Sequence, residues 1–91
     1  MAKKRERLEI IRDILKAVRD SRNRIKPTRL LYSSNLSPQM FKDYIDELQE
    51  KGLLGANEEK DDKRTFSLTQ KGQNFLEEYR QIENFIESFG L

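Results

Sequence analysis

The sequence predicts a mainly α (α+β) chain in which three helices and one short hairpin are followed by a single long helix. Three observations predict it. Apolar residues recur at helical spacing in the first, middle and last stretches, one short run alternates polar with apolar, and helix-start and helix-stop residues punctuate the boundaries between them. With 91 residues the chain has room for one such unit.

In residues 7–20, Leu8, Ile11, Ile14, Leu15 and Val18 fall on one helical stripe, which Ile10 widens. The helix ends in SRNR, where Ser21 and Asn23 favour a turn. Arg24, Ile25 and Lys26 then form a polar, β-branched, polar triplet before Pro27, and a residue that precedes proline is biased to extended geometry, so a very short strand is expected there. Pro27 and Thr28 open a second helix with its body at residues 29–33, and Asn35 ends it in a left-handed conformation. Tyr32 is expected in the core with its hydroxyl at the margin.

Ser37 as N-cap and Pro38 at the first helical position give the clearest start signal in the chain. The third helix runs from residue 38 to about 51, with Phe41, Tyr44, Ile45 and Leu48 on its core face and Met40 beside it, and Gly52 closes it as a left-handed cap. Leu53 and Leu54 begin an extended segment, Arg64-Thr65-Phe66-Ser67-Leu68 alternates in strand fashion, and the polar NEEKDDK between them suits a hairpin loop. Thr69 caps a final helix of about 20 residues, roughly 30 Å at 1.5 Å per residue. In it Phe75, Tyr79, Ile82, Ile86 and Phe89 recur at spacings of 4, 3, 4 and 3, a heptad seam flanked by Leu76 and Phe85. Such a stripe either folds back on its own domain or pairs with a second copy. Its continuation almost to Leu91, beyond what a small domain covers, favours pairing.

The order of elements is that of a winged helix-turn-helix followed by an extra helix, and the heptad seam makes the expected architecture a winged helix-turn-helix with a C-terminal coiled-coil dimerisation helix. Residues 1–69 are expected to form the winged domain and residues 70–91 the dimerisation helix.

The missing residue types narrow the function. Without Cys or His there is no zinc site of the usual kind, no disulfide, no thiol nucleophile and no imidazole base, so no enzyme, cofactor or metal is expected. Adjacent acids such as Glu58-Glu59 or Asp61-Asp62 have no neighbouring base or phosphate-binding glycine motif to make them a hydrolase site. No apolar run approaches the roughly 18 residues of a membrane span, and MAKKRERLEI lacks the apolar region of a secretory signal, so a soluble cytoplasmic protein is expected. The charged fraction of 37% fits a helical protein rich in ion pairs, and the ten Asn and Gln residues argue against reading it as thermophily.

A net charge of +2 conceals an asymmetry. Residues 1–32 hold 11 basic and 4 acidic side chains, a balance of +7, and the remaining 59 residues carry 7 and 12, a balance of −5. A localised positive field attracts phosphates by releasing condensed counterions, which points to a polyanion. Expected phosphate contacts are Arg22, Arg24, Lys26 and Arg29 around the start of the second helix and Arg64 at the base of the loop, with Lys3, Lys4 and Arg5 as a further contact. Recognition helices read bases mainly with their N-terminal residues, here Ser37, Gln39 and Lys42: glutamine suits adenine, lysine suits guanine or phosphate, and serine suits phosphate. Asp43 either accepts from cytosine or repels phosphate.

The run TRLLYSSNLS at residues 28–37, the helix bearing Tyr44-Ile45 and Leu48, KGLL at 51–54, FSLTQKG at 66–72 and LEIIRDIL at 8–15 together resemble small archaeal winged-helix DNA-binding proteins. More specifically the chain resembles the ten-kilodalton archaeal family in which a winged helix-turn-helix is joined to a C-terminal antiparallel coiled coil that makes the dimer. The resemblance implies double-stranded DNA binding as a homodimer, with the third helix in the major groove and residues 57–63 as the wing. Asp43, Asp46, Glu47 and Glu50 on that helix, and Glu58, Glu59, Asp61 and Asp62 in the loop, depart from a basic interface. They supply the alternative expectation of a protein-interaction module that uses an acidic third helix and wing.

Overall fold

Helix α1 spans Arg7–Asp20, and its apolar stripe forms the floor of the core with Ile10, Ile11, Ile14, Leu15 and Val18 buried. The computed structural model describes residues 6–60 and 63–91; Lys3, Lys4 and Arg5, and the acids Asp61 and Asp62, lie outside the described residues. Leu8, expected on the buried stripe, is instead exposed. It belongs to the first turn, and Ile10 is buried in the core in its place.

The turn after α1 is built by two left-handed residues, Arg22 at φ 60° and Asn23 at φ 59°. Asparagine tolerates this region, whereas for arginine it costs of the order of 1 kcal/mol. The Asn23 amide N–H donates to the Val18 carbonyl at 3.1 Å, and its side-chain oxygen accepts from the Leu68 amide at 2.5 Å, so one residue ends α1 and ties it to the hairpin. Ile25 follows as a one-residue strand, exchanging both backbone hydrogen bonds with Phe66 at 3.1 and 2.8 Å.

Helix α2 is Pro27–Ser34 and ends at Asn35, φ 57°. Helix α3 is Pro38–Glu50, with the Ser37 hydroxyl accepting from the Met40 amide at 3.2 Å. Phe41, Ile45 and Leu48 are buried on its inner face, Tyr44 packs at the edge, and Met40 is exposed. Gly52, φ 74°, closes α3: its N–H reaches the Gln49 carbonyl at 3.1 Å and the Leu53 N–H reaches that of Leu48 at 2.8 Å, the paired bonds of a Schellman ending.

Strands β1, Leu54–Glu58, and β2, Arg64–Leu68, pair antiparallel with Leu54 opposite Leu68 and Glu58 opposite Arg64. Thr69 then starts α4, Gln70–Ser88, by accepting from the Gly72 amide at 3.0 Å while its hydroxyl donates to the Gly52 carbonyl at 2.6 Å. Gly72 is required here, because a Cβ would stand 2.2 Å from the Leu53 carbonyl oxygen. This close approach lets α4 enter the core, where Leu76 is buried and Phe75 packs at the margin.

One core expectation fails. Tyr32 is 79% exposed, because Leu30 takes the inward position on the two-turn α2 and the tyrosine ring turns to solvent.

Candidate nucleic-acid interface

The left-handed turn at Arg22-Asn23 and the single strand residue Ile25 bend the chain sharply between α1 and α2. That bend brings Arg22, Arg24, Lys26 and Arg29 to the lining of one open cleft, with Asp20 and Thr65 on its walls. The one acid of the cleft, Asp20, accepts from Arg19 at 3.3 Å. Arg22, Lys26 and Arg29 make no ion pair among the described residues.

Arg24 is held differently, its guanidinium lying 3.1 Å from Glu59, whose carboxylate also accepts from the Thr65 hydroxyl at 3.4 Å. With side-chain exposures of 64% and 33% the pair is largely solvated and is worth about 0–1 kcal/mol, so a phosphate can displace the carboxylate. Arg64 is exposed at the loop end of the hairpin opposite Glu58 and lines neither this cleft nor the groove at α3.

The opening of α3 forms a separate groove lined by Leu31, Tyr32, Asn35, Leu36, Ser37 and Pro38, without a charged side chain. The structure therefore joins Arg22, Arg24, Lys26 and Arg29 to one another, and places Ser37 in a neutral neighbourhood. Along α3 the polar residues are paired internally. The Gln39 amide donates to Asp43 at 3.0 Å and the Lys42 ammonium to Asp46 at 2.7 Å. The hydrogen bond to Asp46, then its charge, raises the Lys42 pKa above the ordinary lysine value. Both side chains must exchange a carboxylate one turn away before they can meet a base edge.

Arg7 bonds to Glu47 and lies over the Tyr44 ring at 5.9 Å, linking the start of α1 to α3. This basic residue of the N-terminal third is thereby committed to the fold. Periodicity missed Tyr32 as a surface residue, although the aromatic at i+3 from Arg29 was visible in the sequence as a possible shared face.

A second surface lies on the outer half of α4. Ile82, Phe85, Ile86, Phe89 and Leu91 are all exposed, with the Phe85 and Phe89 rings packed at 5.2 Å. Closer to the core Phe75 and Tyr79 lie 5.8 Å apart. Arg12 clamps this region to α1, donating to Glu83 at 2.6 Å and lying 5.3 Å from the Tyr79 ring centre. Burial lowers the Arg12 pKa, but the hydrogen bond and charge of Asp13, with Glu83, outweigh it and the net shift is upward. Burial is likewise the first cause raising the Tyr79 phenol, opposed by Arg12 and reinforced by Glu83, Glu9 and Asp13.

Among the described residues no helix is long and apolar enough to cross a membrane, and no group of three His, Cys, Asp or Glu side chains is placed to hold a metal ion.

Residues 4–87 match the family model described as winged helix-turn-helix. The chain is 32% identical over 83 residues to the uncharacterized protein MJ0290 of Methanocaldococcus jannaschii, and spans 36% of that relative's length. Among solved structures it is similar to Sso10a-2, a DNA-binding protein from Sulfolobus solfataricus, with a TM-score of 0.71 and 27% identity over 94% of this chain and 90% of that one. It is similar also to F93 from STIV, a winged-helix DNA-binding protein, with a TM-score of 0.75 and 25% identity over 91% and 95% of the two chains. A MarR family transcriptional regulator from Silicibacter pomeroyi shares the fold, with a TM-score of 0.73 and 21% identity over 89% of this chain and 55% of the other.

Proposed function

The chain belongs to the winged helix-turn-helix family, and from that premise we propose that it binds double-stranded DNA as a homodimer and acts as a transcriptional regulator or architectural protein at the nucleoid, in the cytoplasm. The observation that carries this reading is the cleft lined by Arg22, Arg24, Lys26 and Arg29, four cations gathered at the start of α2. These side chains, with Arg64 at the wing base, hold phosphates and so orient the domain; they carry no sequence information themselves. Helix α3 enters the major groove by its first turns, where Ser37, Gln39 and Lys42 address phosphate and base edges. Its later acids, Asp46 and Glu50, then stand away from the duplex.

The homodimer forms through Phe75, Tyr79, Ile82, Ile86 and Phe89 of α4. Support comes from the exposure of the outer three, which leaves large apolar surface in water. Each such side chain, fully buried, contributes about 1.5–3 kcal/mol, enough in sum to hold a dimer against the losses of association. The similarity to Sso10a-2 and F93, both described as DNA-binding, supports the same reading.

Titration against duplex DNA at a series of salt concentrations tests it. Five phosphate contacts, from Arg22, Arg24, Lys26, Arg29 and Arg64, predict that log affinity falls against log salt with a slope near about −4.5, each contributing roughly −0.9. The Arg22→Ala/Arg29→Ala double variant should bring the slope to about −2.7 by the same arithmetic. A slope near zero in the parent protein contradicts the reading.

A further inference from the structure

Tyr32 stands where its own fold gives it little to pack against. It is 79% exposed, while Leu30, two residues earlier on α2, is fully buried. Residues three apart share one face of a helix, so Tyr32 projects from the same edge of α2 as Arg29. Arg29 lines the basic cleft and Tyr32 lines the groove at Ser37. Tyr32 thus stands about one helical turn from Arg29 on α2, at the groove that holds the opening turn of α3.

That groove carries no carboxylate, although Asp43 and Asp46 follow on the next turns of α3. A polyanion leaving Arg29 toward Ser37 meets a neutral, half-apolar floor. Tyrosine offers two things to such a ligand: an apolar ring face and a hydroxyl donor at its tip. A nucleic-acid strand presents the complement, with sugar faces alternating with anionic phosphate oxygens, and tyrosine hydroxyls are among the donors that phosphates accept from.

We propose that Tyr32 is a DNA-backbone contact: its hydroxyl donates to a phosphate oxygen while its ring covers the adjoining deoxyribose, carrying one strand from Arg29 to the start of α3. The contact fixes how α3 is presented to the groove. It rests on the DNA-binding reading of the preceding subsection, but it leaves a different signature. A neutral side chain releases no condensed counterion, so its loss lowers affinity without altering the salt slope, whereas loss of a cation lowers both.

The test is duplex titration at several salt concentrations of the parent, Tyr32→Phe, Tyr32→Ala and Arg29→Ala. Because the ring is exposed, the tyrosine variants should keep the parental melting temperature. Tyr32→Phe should bind roughly tenfold more weakly, the loss expected for one hydrogen bond to a charged acceptor, and Tyr32→Ala more weakly still, both with the parental slope. Arg29→Ala should lose affinity and make the slope shallower by about 0.9. Parental affinity in Tyr32→Phe overturns the hydroxyl contact, and parental affinity in both tyrosine variants, while Arg29→Ala is impaired, overturns the proposal and leaves DNA binding intact. A parent with no salt dependence removes the DNA-binding reading and this contact with it.

Discussion

Glu59 gathers the Arg24 guanidinium at 3.1 Å and the Thr65 hydroxyl at 3.4 Å on a single carboxylate. A phosphate that binds Arg24 must displace this carboxylate, so Glu59 acts as an internal competitor and holds affinity down. Glu59→Gln keeps an oxygen for Thr65 and removes the charge. For an exposed pair worth 0.2–1 kcal/mol the release corresponds to about a one-and-a-half- to fivefold gain in duplex affinity, read by the same titration; unchanged or weaker binding would show that Arg24 does not exchange partners. The two misplaced residues, Leu8 and Tyr32, have one physical cause. Leu8 sits in the first turn of α1 and Tyr32 on the two-turn α2, and there a few apolar positions fit two faces equally well. Composition cannot choose between them; the neighbouring Ile10 and Leu30, which reach the core, decide it.

Helix α4 is two things in sequence. Its first turns belong to the winged domain, admitted by Gly72 and anchored by Leu76, and its outer turns expose Ile82, Phe85, Ile86 and Phe89. Replacing Ile82 and Ile86 together by Glu should give a monomer in analytical ultracentrifugation where the parent is expected to sediment as a dimer, still folded because both positions are outside the core but with a melting temperature lowered by loss of the partner; an unchanged mass would refute the role of this helix. The boundaries of the helices were legible because punctuation is local: Pro27, Ser37-Pro38 and Thr69 start them, and Asn35 and Gly52 stop them with the left-handed φ that those residues tolerate. The one-residue strand at Ile25 was legible for the same reason, from the proline that follows its neighbour. The packing of α4 was not, since a spacing of 4, 3, 4, 3 suits a helix folded on its own domain as well as one paired with a copy. The candidate site divides likewise. Charge asymmetry located the cations along the chain, but only the bend at Arg22-Asn23 joins four of them in a cleft, whereas the pairing of Gln39 with Asp43 and of Lys42 with Asp46 follows from their four-residue spacing on α3 and was open to a reading of the sequence.

The whole molecule measures 50 × 31 × 22 Å along its principal axes, with a near-neutral balance of +2 that hides a basic cleft at the α1–α2 bend and carboxylates along α3 and the hairpin. In the proposed homodimer, two such molecules joined through α4 about a twofold axis would present two clefts. The 19 residues of α4 extend roughly 28 Å at 1.5 Å per residue, which suits half-sites about one turn of DNA apart, roughly 34–36 Å. Hydroxyl-radical footprinting of the parent protein on duplex DNA tests dimerisation and DNA binding together. Two protected stretches of backbone, separated by about one helical turn and lost together as salt rises, are the predicted pattern; a single isolated protected stretch, or uniform cleavage at low salt, would contradict it.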